Sequence, residues 1–512
     1  MAHRMIDFKP VRPEDRAAIE RFTLRSETEN CDFAFANMYC WRFLYDSRWA
    51  VVEGFLVVRF RIGGGGRLGY MQPLGPGDFV SVLPLLEADA RAHGQRLRLA
   101  GLDEAACAHL RSAAGEEYAL ASDPATDDYV YDAEALRTLP GRRYQSKRNH
   151  INRFLSLWPD YRYEALTPDR FAECLRLERR WRAEHADRPA SELGAEQRAM
   201  QEAFDRFETL GLTGGCLYAG DTLVAFTFGS AVNEHTFDTH VEKADTNYDG
   251  AFALINRTFA EHLPARYTRI NREEDLGIEG LRRAKSSYHP ALRLRKYAAL
   301  KLAPDERAVR RLWREAFGDD DAFIDAFLIH AYDRRRMLVH VEASGLAAML
   351  HAVPFECEAE RVTYVYGVAT ARDRRGRGLA TELLRRAEAQ ARERGDAALL
   401  LIPADDALRA FYERLGYRGD LPVRFKETPG AFDFGTGDPL RDRAMILPLK
   451  PWPQLPEALE CRYAGAPADA CPDAMNAFAH SDTAVADELA DECPERALTD
   501  KRHEKPVAAV HR

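Results

Sequence analysis

The sequence predicts an α/β protein of the α+β, mixed-sheet kind, and three observations predict it. Its 512 residues amount to roughly three domains' worth of chain. Short runs rich in strand formers alternate with amphipathic helical stretches over most of that length. A strand-like run at 362–370 leads through a glycine-containing loop into a helix, and a second apolar strand follows at 397–403, which is the order of an α/β unit.

Composition removes several function classes. Hydrophobic residues make up 46% and charged residues 30%, which fits a folded chain and excludes collagen-like, wholly disordered and membrane-spanning proteins. The net charge of −9 argues against a general nucleic-acid binder, and most of it belongs to 451–512, where twelve acidic residues face six basic ones. That stretch is rich in Ala, Pro, Asp and Glu without periodicity, so a disordered acidic tail is expected there. The N-terminus has no signal-peptide apolar stretch and no run is long enough to cross a bilayer, so a cytoplasmic protein is expected. The nine cysteines are scattered and odd in number, which predicts reduced buried thiols and no metal ribbon.

Taken in order, 16–22 reads as a helix, and 49–62 and 67–71 read as strands joined by four glycines. No Gly-Lys-Ser/Thr ending follows those glycines, so a hairpin tip is expected rather than a phosphate loop. The segment 142–154 is the densest basic stretch, with Arg142, Arg143, Lys147, Arg148 and Arg153 interleaved with Tyr144, His150 and Phe154. It reads either as a grip on a tRNA backbone or as a solvated helix face over an apolar stripe. Helices near 170–185 and 196–210, strands at 215–218, 223–231 and 234–240, and a helix from Gly250 to His262 follow. Within 271–290, Glu273, Glu274, Asp275, Glu279, Lys285 and His289 either line a cleft or form a salt-bridged loop.

The stretch from about 22 to 300, with FANMYCWRF at 35–43, KRNHINRF at 147–154, VEKAD at 241–245 and NREEDLGIEGLRRAKSSYHP at 271–290, resembles the phosphatidylglycerol lysyltransferase C-terminal-domain family. The resemblance implies two tandem GNAT-like halves, 1–140 and 141–300. Some members of that family transfer an aminoacyl group from tRNA to a lipid.

Residues 304–430 carry the clearest chemistry. Helical patterns at 305–317 and 321–332 precede strand-like runs at 337–342, 345–353 and 361–369. Leu379, Leu383, Leu384, Ala387 and Ala391 then fall on one helix face, and Gly395 suits its end. Gly376 and Gly378 sit between strand and helix, where backbone N–H groups and the positive end of the helix dipole converge as a diphosphate requires. Arg375 and Arg377 add charge-assisted donors.

The run R-G-R-G-L-A at 375–380 resembles the pyrophosphate loop of the GNAT acetyltransferase superfamily, and LLLIPADDALRAFYERLGY at 399–417 is similar to its second signature. The resemblance implies acetyl-CoA as cosubstrate. Val368 and Ala369 would then offer backbone groups to the thioester and pantetheine arm, and Arg375, Gly376, Arg377, Gly378, Leu379, Ala380 and Thr381 would hold the diphosphate. Tyr412 falls where a tyrosine protonates the departing thiolate, a role worth roughly 10²–10⁴-fold. The strand carries no acid where many members place a base, which leaves Glu342, His351, Glu356, Glu358, Glu360, Tyr364, Tyr366 and a water chain as alternatives.

The expected function is transfer of an acetyl group from acetyl-CoA to a primary amine, of small-molecule or peptide type, by direct attack without a metal. Two alternatives stand beside it: an aminoacyl-tRNA-dependent transferase in the N-terminal unit, with the arginines and lysine of 142–153 on the tRNA, and a non-catalytic acyl-CoA-binding module.

Overall fold

The computed structural model describes residues 6–62, 66–184, 190–429, 432–451 and 457–465. Three mixed seven-stranded sheets follow one another along the chain. The first runs Lys9–Pro10, Arg48–Val52, Phe55–Ile62, Arg67–Met71, Arg98–Leu102, Tyr297–Lys301, Tyr118–Ser122. The second runs Leu292–Leu294, Asp128–Asp132, Arg269–Asn271, Thr236–Ala244, Thr222–Ala231, Thr213–Ala219, Arg162–Ala165. The third runs Met337–Glu342, Gly345–Cys357, Glu360–Thr370, Ala398–Leu401, Arg443–Pro448, Arg418–Lys426, Leu459–Tyr463.

In each sheet one parallel pair is bridged by a helix, and the third sheet holds a second parallel pair, Arg418–Lys426 with Leu459–Tyr463, whose connection runs through the strand Arg443–Pro448. The bridging helices are Leu83–Ala92, Ala251–His262 and Leu379–Glu393. In the third, Leu379, Leu383, Leu384, Ala387 and Ala391 are buried as the periodicity predicts, and Gly395 with φ +72° ends the element. The chain therefore repeats one α/β plan three times.

Pairing across the chain shifts the expected boundaries. Asp128–Asp132 belongs to the second sheet, so the first half ends before 128 rather than at 140. Tyr297–Lys301 returns to the first sheet and inserts between Arg98–Leu102 and Tyr118–Ser122, antiparallel to both. This crossing strand stitches the two halves together through backbone hydrogen bonds, which are strong and must be satisfied when buried. The expected strand at 49–62 is two, broken at Glu53 and Gly54, both with positive φ. Phe55–Ile62 and Arg67–Met71 do pair as a hairpin, although Gly63, Gly64 and Gly65 lie outside the described residues.

The third module docks on the first sheet through helices rather than a linker. Val309, Trp313 and Phe327 share an apolar cluster with Ala119, Ala121, Leu300 and Leu302. Within this contact Asp325 accepts from the Leu120 N–H at 3.0 Å and from Arg310 at 3.1 Å. The helix expected at 321–332 is α-helical only over Asp321–Ala326 and continues as a π turn over Phe327–Ala331. No helix among the described residues is long and apolar enough to cross a membrane.

Two expectations need correction at the C-terminal end. Leu459–Tyr463, inside the expected tail, forms a strand that pairs with Arg418–Lys426 and with the end of Gly345–Cys357, closing the third sheet on itself; residues 466–512 lie outside the described residues. Cys357 and Cys461 stand directly opposite each other in that pairing and form a disulfide, Cα to Cα 4.6 Å, where reduced thiols were expected. Their separation of 104 residues hides the pairing from any local reading. Closing so long a loop stabilises by about 2–4 kcal/mol. Reductant is therefore expected to lower the unfolding midpoint of the wild type and to leave Cys461→Ser, already lowered, unmoved in a calorimetric scan.

Candidate functional sites

The loop between Glu360–Thr370 and Leu379–Glu393 leaves its backbone open. Gly376 and Gly378 have φ +77° and +80°, and a Cβ added at either would meet nothing within 4 Å. Gly378 is the N-cap of the helix and supplies no side-chain cap, so the first-turn N–H groups of Leu379, Ala380 and Thr381 have no intrahelical acceptor. Arg375 and Arg377 are exposed beside them, held lightly to the carbonyls of Thr370 (3.3 Å) and Asp373 (3.4 Å). An uncapped helix start with open glycines and two arginines fits a diphosphate.

The other two bridging helices do not offer this cradle. Gly250 caps Ala251–His262 with φ +87°, but a Cβ there would lie 2.2 Å from the His150 carbonyl oxygen and 3.1 Å from the Phe154 Cβ. The helix Gln145–Leu157 thus covers that N-terminus, pinned by His150 Nδ1 to Asp249 at 2.8 Å and by Arg153 to Asp249 at 2.6 Å. Leu83–Ala92 starts from a 3-10 turn, Phe79–Val82, capped by the Asp78 carboxylate. Most of the basic stretch is therefore used internally. Lys147 is buried over the Tyr288 ring, and Arg148 donates to the Leu139 and Gly141 carbonyls. Arg142 and Arg143 are exposed, as is Arg153 beside its ion pair with Asp249.

Upstream of the open loop, Gly345–Cys357 and Glu360–Thr370 slip register between Met349 and His351, and Gly367 and Val368 form the bulge. Gly367 has φ +58°, and a Cβ on it would press the Trp313 ring at 3.0 Å and His351 Nδ1 at 3.4 Å. Glu360–Thr370 pairs with Ala398–Leu401 only over Val362, Thr363 and Tyr364, so beyond them the two strands part. The expected contact residues Val368 and Ala369 thus lie where one edge of their strand is free of its parallel neighbour.

Tyr412 stands on the helix Asp406–Glu413, buried in the cluster that holds Leu379, Leu383 and Val368. Its hydroxyl makes no hydrogen bond among the described residues. Burial first, then Asp405, pushes it up to about 12, so it is protonated at neutral pH.

The candidate bases separate sharply. Glu356, Glu358 and Glu360 cluster at the hairpin turn, and the seven residue steps from Glu360 to Gly367 span about 23 Å of strand. Glu342 is engaged by Arg374 at 2.7 Å. Tyr364 donates to the Phe434 carbonyl at 3.2 Å, and Tyr366 packs among Trp313, Phe327 and Phe434. His351 is buried beside the bulge, neither ring nitrogen has a hydrogen-bond partner, and burial pulls it down to about 3.

A second constellation lies where the two N-terminal halves meet, and it is almost wholly charged. Lys296 Nζ sits 2.8 Å from Asp128, 3.4 Å from Asp32 and 3.5 Å from Glu274. Asp128 also accepts from the Cys31 backbone N–H (3.0 Å), the Cys31 thiol (3.2 Å) and Asn271 (2.8 Å). Nearby, His240 Nδ1 lies 3.1 Å from Asp238 and 3.4 Å from Glu273, while its Nε2 meets Ser230 Oγ at 2.8 Å. Burial alone would lower that imidazole, but Asp238 and Glu273 outweigh it and lift it to about 9. Burial, then Asp238, pushes Glu273 up to about 7, and burial raises Glu274 well above the usual range.

The run 271–290, read as a cleft or a salt-bridged loop, is divided by the fold. Glu273, Glu274 and Asp275 are fully buried, and Lys285 donates to the carbonyls of Arg272 and Glu274. Glu279 and His289 are exposed. Sequence reading missed Cys31, Asp32, Asp128, Asp238, His240 and Lys296. One signal was present: Asp238, His240 and Glu242 alternate along Thr236–Ala244, which puts three polar groups on one face of a strand.

Repeated mixed-sheet modules, one with an open, uncapped helix start, define a tandem acyltransferase-fold protein. Comparison with known proteins names its family. The phosphatidylglycerol lysyltransferase C-terminal model matches residues 24–300, more than half of the chain, and the chain belongs to that family. The acetyltransferase (GNAT) domain model matches residues 300–419. Among solved structures, a conserved protein of unknown function from Bacteroides thetaiotaomicron VPI-5482 is similar at 46% identity, covering 58% of this chain and all of that one, TM-score 0.57. L-PGS from Bacillus licheniformis is similar at 15% identity over 57% of this chain and 93% of that one, TM-score 0.42. A GNAT family N-acetyltransferase from Escherichia coli, in complex with CoA, is similar at 16% identity over 32% and 86%, TM-score 0.23. No curated protein matches the chain.

Proposed function

We propose that the third module is an acyl-CoA-dependent N-acyltransferase that moves an acetyl group from acetyl-CoA to a primary amine. The observation that carries this reading is the uncapped start of Leu379–Glu393, where Gly376 and Gly378 leave room for a diphosphate, whereas Gly250 is closed by His150 and the turn before Leu83–Ala92 is capped by Asp78. In this reading Arg375 to Thr381 hold the diphosphate, and the pantetheine arm runs along the unpaired edge at Val368 and Ala369. The amine nitrogen attacks the thioester carbonyl, a backbone N–H at the bulge takes up the developing oxyanion, and the carbon–sulfur bond breaks as Tyr412 gives its proton to the departing sulfur. The amine proton leaves to water, because His351, although beside the bulge, is pulled down by burial to about 3 and is too weak a base to receive it.

The test is acetyl-CoA binding by calorimetry with two variants at one position. Gly378→Glu sets a carboxylate against the diphosphate and should weaken binding about 100-fold or more, since like charges at contact cost several kcal/mol. Gly378→Asn accepts the same left-handed backbone and should bind within about tenfold of wild type. Equal binding by all three, or none by wild type, overturns the proposal.

A second reading assigns the N-terminal unit an aminoacyl-tRNA substrate, supported by the family match and by Arg142 and Arg143, which are exposed on the basic segment along with Arg153 and, unlike it, are not paired with Asp249. It requires tRNA binding that weakens steeply with salt, and Arg142→Ala/Arg143→Ala should flatten that dependence.

A further inference from the structure

The seam between the two N-terminal halves holds more acceptors than donors. Asp238 Oδ2 and Glu273 Oε1 share the Asn37 amide at 3.1 and 3.2 Å and face His240. The second oxygen of each, Asp238 Oδ1 and Glu273 Oε2, has no hydrogen-bond partner, and neither does Asn37 Oδ1. All three side chains are at most 1% exposed. An orphaned buried acceptor costs roughly 1–3 kcal/mol, more if charged, so a native fold does not carry three together without something to satisfy them.

We propose that Cys31, Asp238 and Glu273 bind one divalent cation of the borderline-soft class, zinc foremost, at this seam. One ligand atom from each of the three lies within 4.8 Å of the others. Tetrahedral zinc with thiolate and carboxylate ligands needs about 3.3–3.7 Å between them, a contraction within side-chain reach. A mixed sulfur and oxygen set selects zinc over magnesium or calcium, which take oxygen alone. Three protein ligands leave a fourth position, and Asn37, whose amide nitrogen bonds both carboxylates, carries a further unpartnered acceptor. The ligands also come from both halves: Cys31 from the first, Asp238 and Glu273 from strand and loop of the second.

A neighbouring triad, Cys31 with Asp128 and Glu274, has the same spacing but already surrounds the Lys296 ammonium. Asp128 keeps Lys296, the Cys31 backbone N–H and Asn271 if the thiol turns to a metal. The cluster then holds one divalent cation beside the Lys296 ammonium and the His240 imidazole.

The full chain should be stripped with chelator, reloaded with Zn²⁺ or Co²⁺, and assayed for metal content, with folding followed by circular dichroism. About one equivalent of zinc is expected, and cobalt should show the near-ultraviolet absorption of a thiolate ligand. Cys31→Ser should lose that band while remaining folded, and Glu273→Gln, which keeps volume and hydrogen bonding, should weaken metal affinity at least tenfold. A folded wild-type chain that takes up no metal overturns the site and leaves protonated carboxylic acids as the answer to the orphaned oxygens. Stoichiometric cobalt with a band unchanged in Cys31→Ser overturns it equally, because the ion then sits elsewhere.

Discussion

Tyr412→Phe is expected to lower kcat for acetyl transfer by about 10²–10⁴-fold while acetyl-CoA affinity changes less than threefold. Its hydroxyl has no bond to protein among the described residues, so deleting it removes nothing that holds the helix Asp406–Glu413 in place; what goes is a proton available to a departing thiolate. Because burial and Asp405 hold the phenol at about 12, it is loaded with its proton at every pH where assays are practical. Tyr417 is the control. It packs against Tyr412 with ring centroids 5.8 Å apart, and its buried hydroxyl also has no partner, so Tyr417→Phe should leave kcat unchanged and stability equal or higher. Thiol release from acetyl-CoA in the presence of an amine library reads both variants. A kcat for Tyr412→Phe within threefold of wild type would remove Tyr412 from the chemistry and leave it a core residue.

Lys296→Met should be the most damaging single change to the N-terminal unit, costing about 3–5 kcal/mol in urea unfolding. Burial would by itself pull the Lys296 ammonium down, but Asp128 and Asp32 overcome it and hold it well above its ordinary value, so it is charged throughout. Removing it leaves Asp32, Asp128 and Glu274 facing one another without it. The pH dependence follows. In the intact protein Asp128 is held below the usual carboxylate range by Lys296 against its own burial, whereas Asp32 and Glu274 are already raised by burial. Without the ammonium all three rise further. A carboxyl whose folded value exceeds its unfolded one is stabilised while protonated and loses stability as pH climbs past the unfolded value. The deficit of Lys296→Met should therefore be smallest near pH 5 and grow toward pH 8. Combining it with Asp128→Asn should recover part of the loss, the non-additivity that a direct charge pair requires. A loss below about 1 kcal/mol, flat with pH, would mean the cluster is already neutral.

Legibility in the sequence followed the range of the interaction. The helix Leu379–Glu393, its buried stripe and its two glycines were readable because every relevant spacing falls within one strand, one loop and one helix. The helix Asp406–Glu413 and its tyrosine were readable for the same reason. The basic stretch was readable as a helix, but composition could not show that His150 and Arg153 would meet Asp249, about a hundred residues on, and seal another helix's N-terminus.

The sequence by itself therefore determined the class of fold, the repeating alternation of strand and helix, the family and the open glycine loop ahead of a helix, since periodicity and backbone preference act over a few residues. The tertiary structure alone decided that Tyr297–Lys301 crosses back into the first sheet, that Cys357 meets Cys461, and that Cys31, Asp128, Asp238, Glu273, Glu274 and Lys296 converge at one seam. Burial of a charge depends on what packs around it from distant parts of the chain, and no local pattern encodes the partner that makes such burial tolerable.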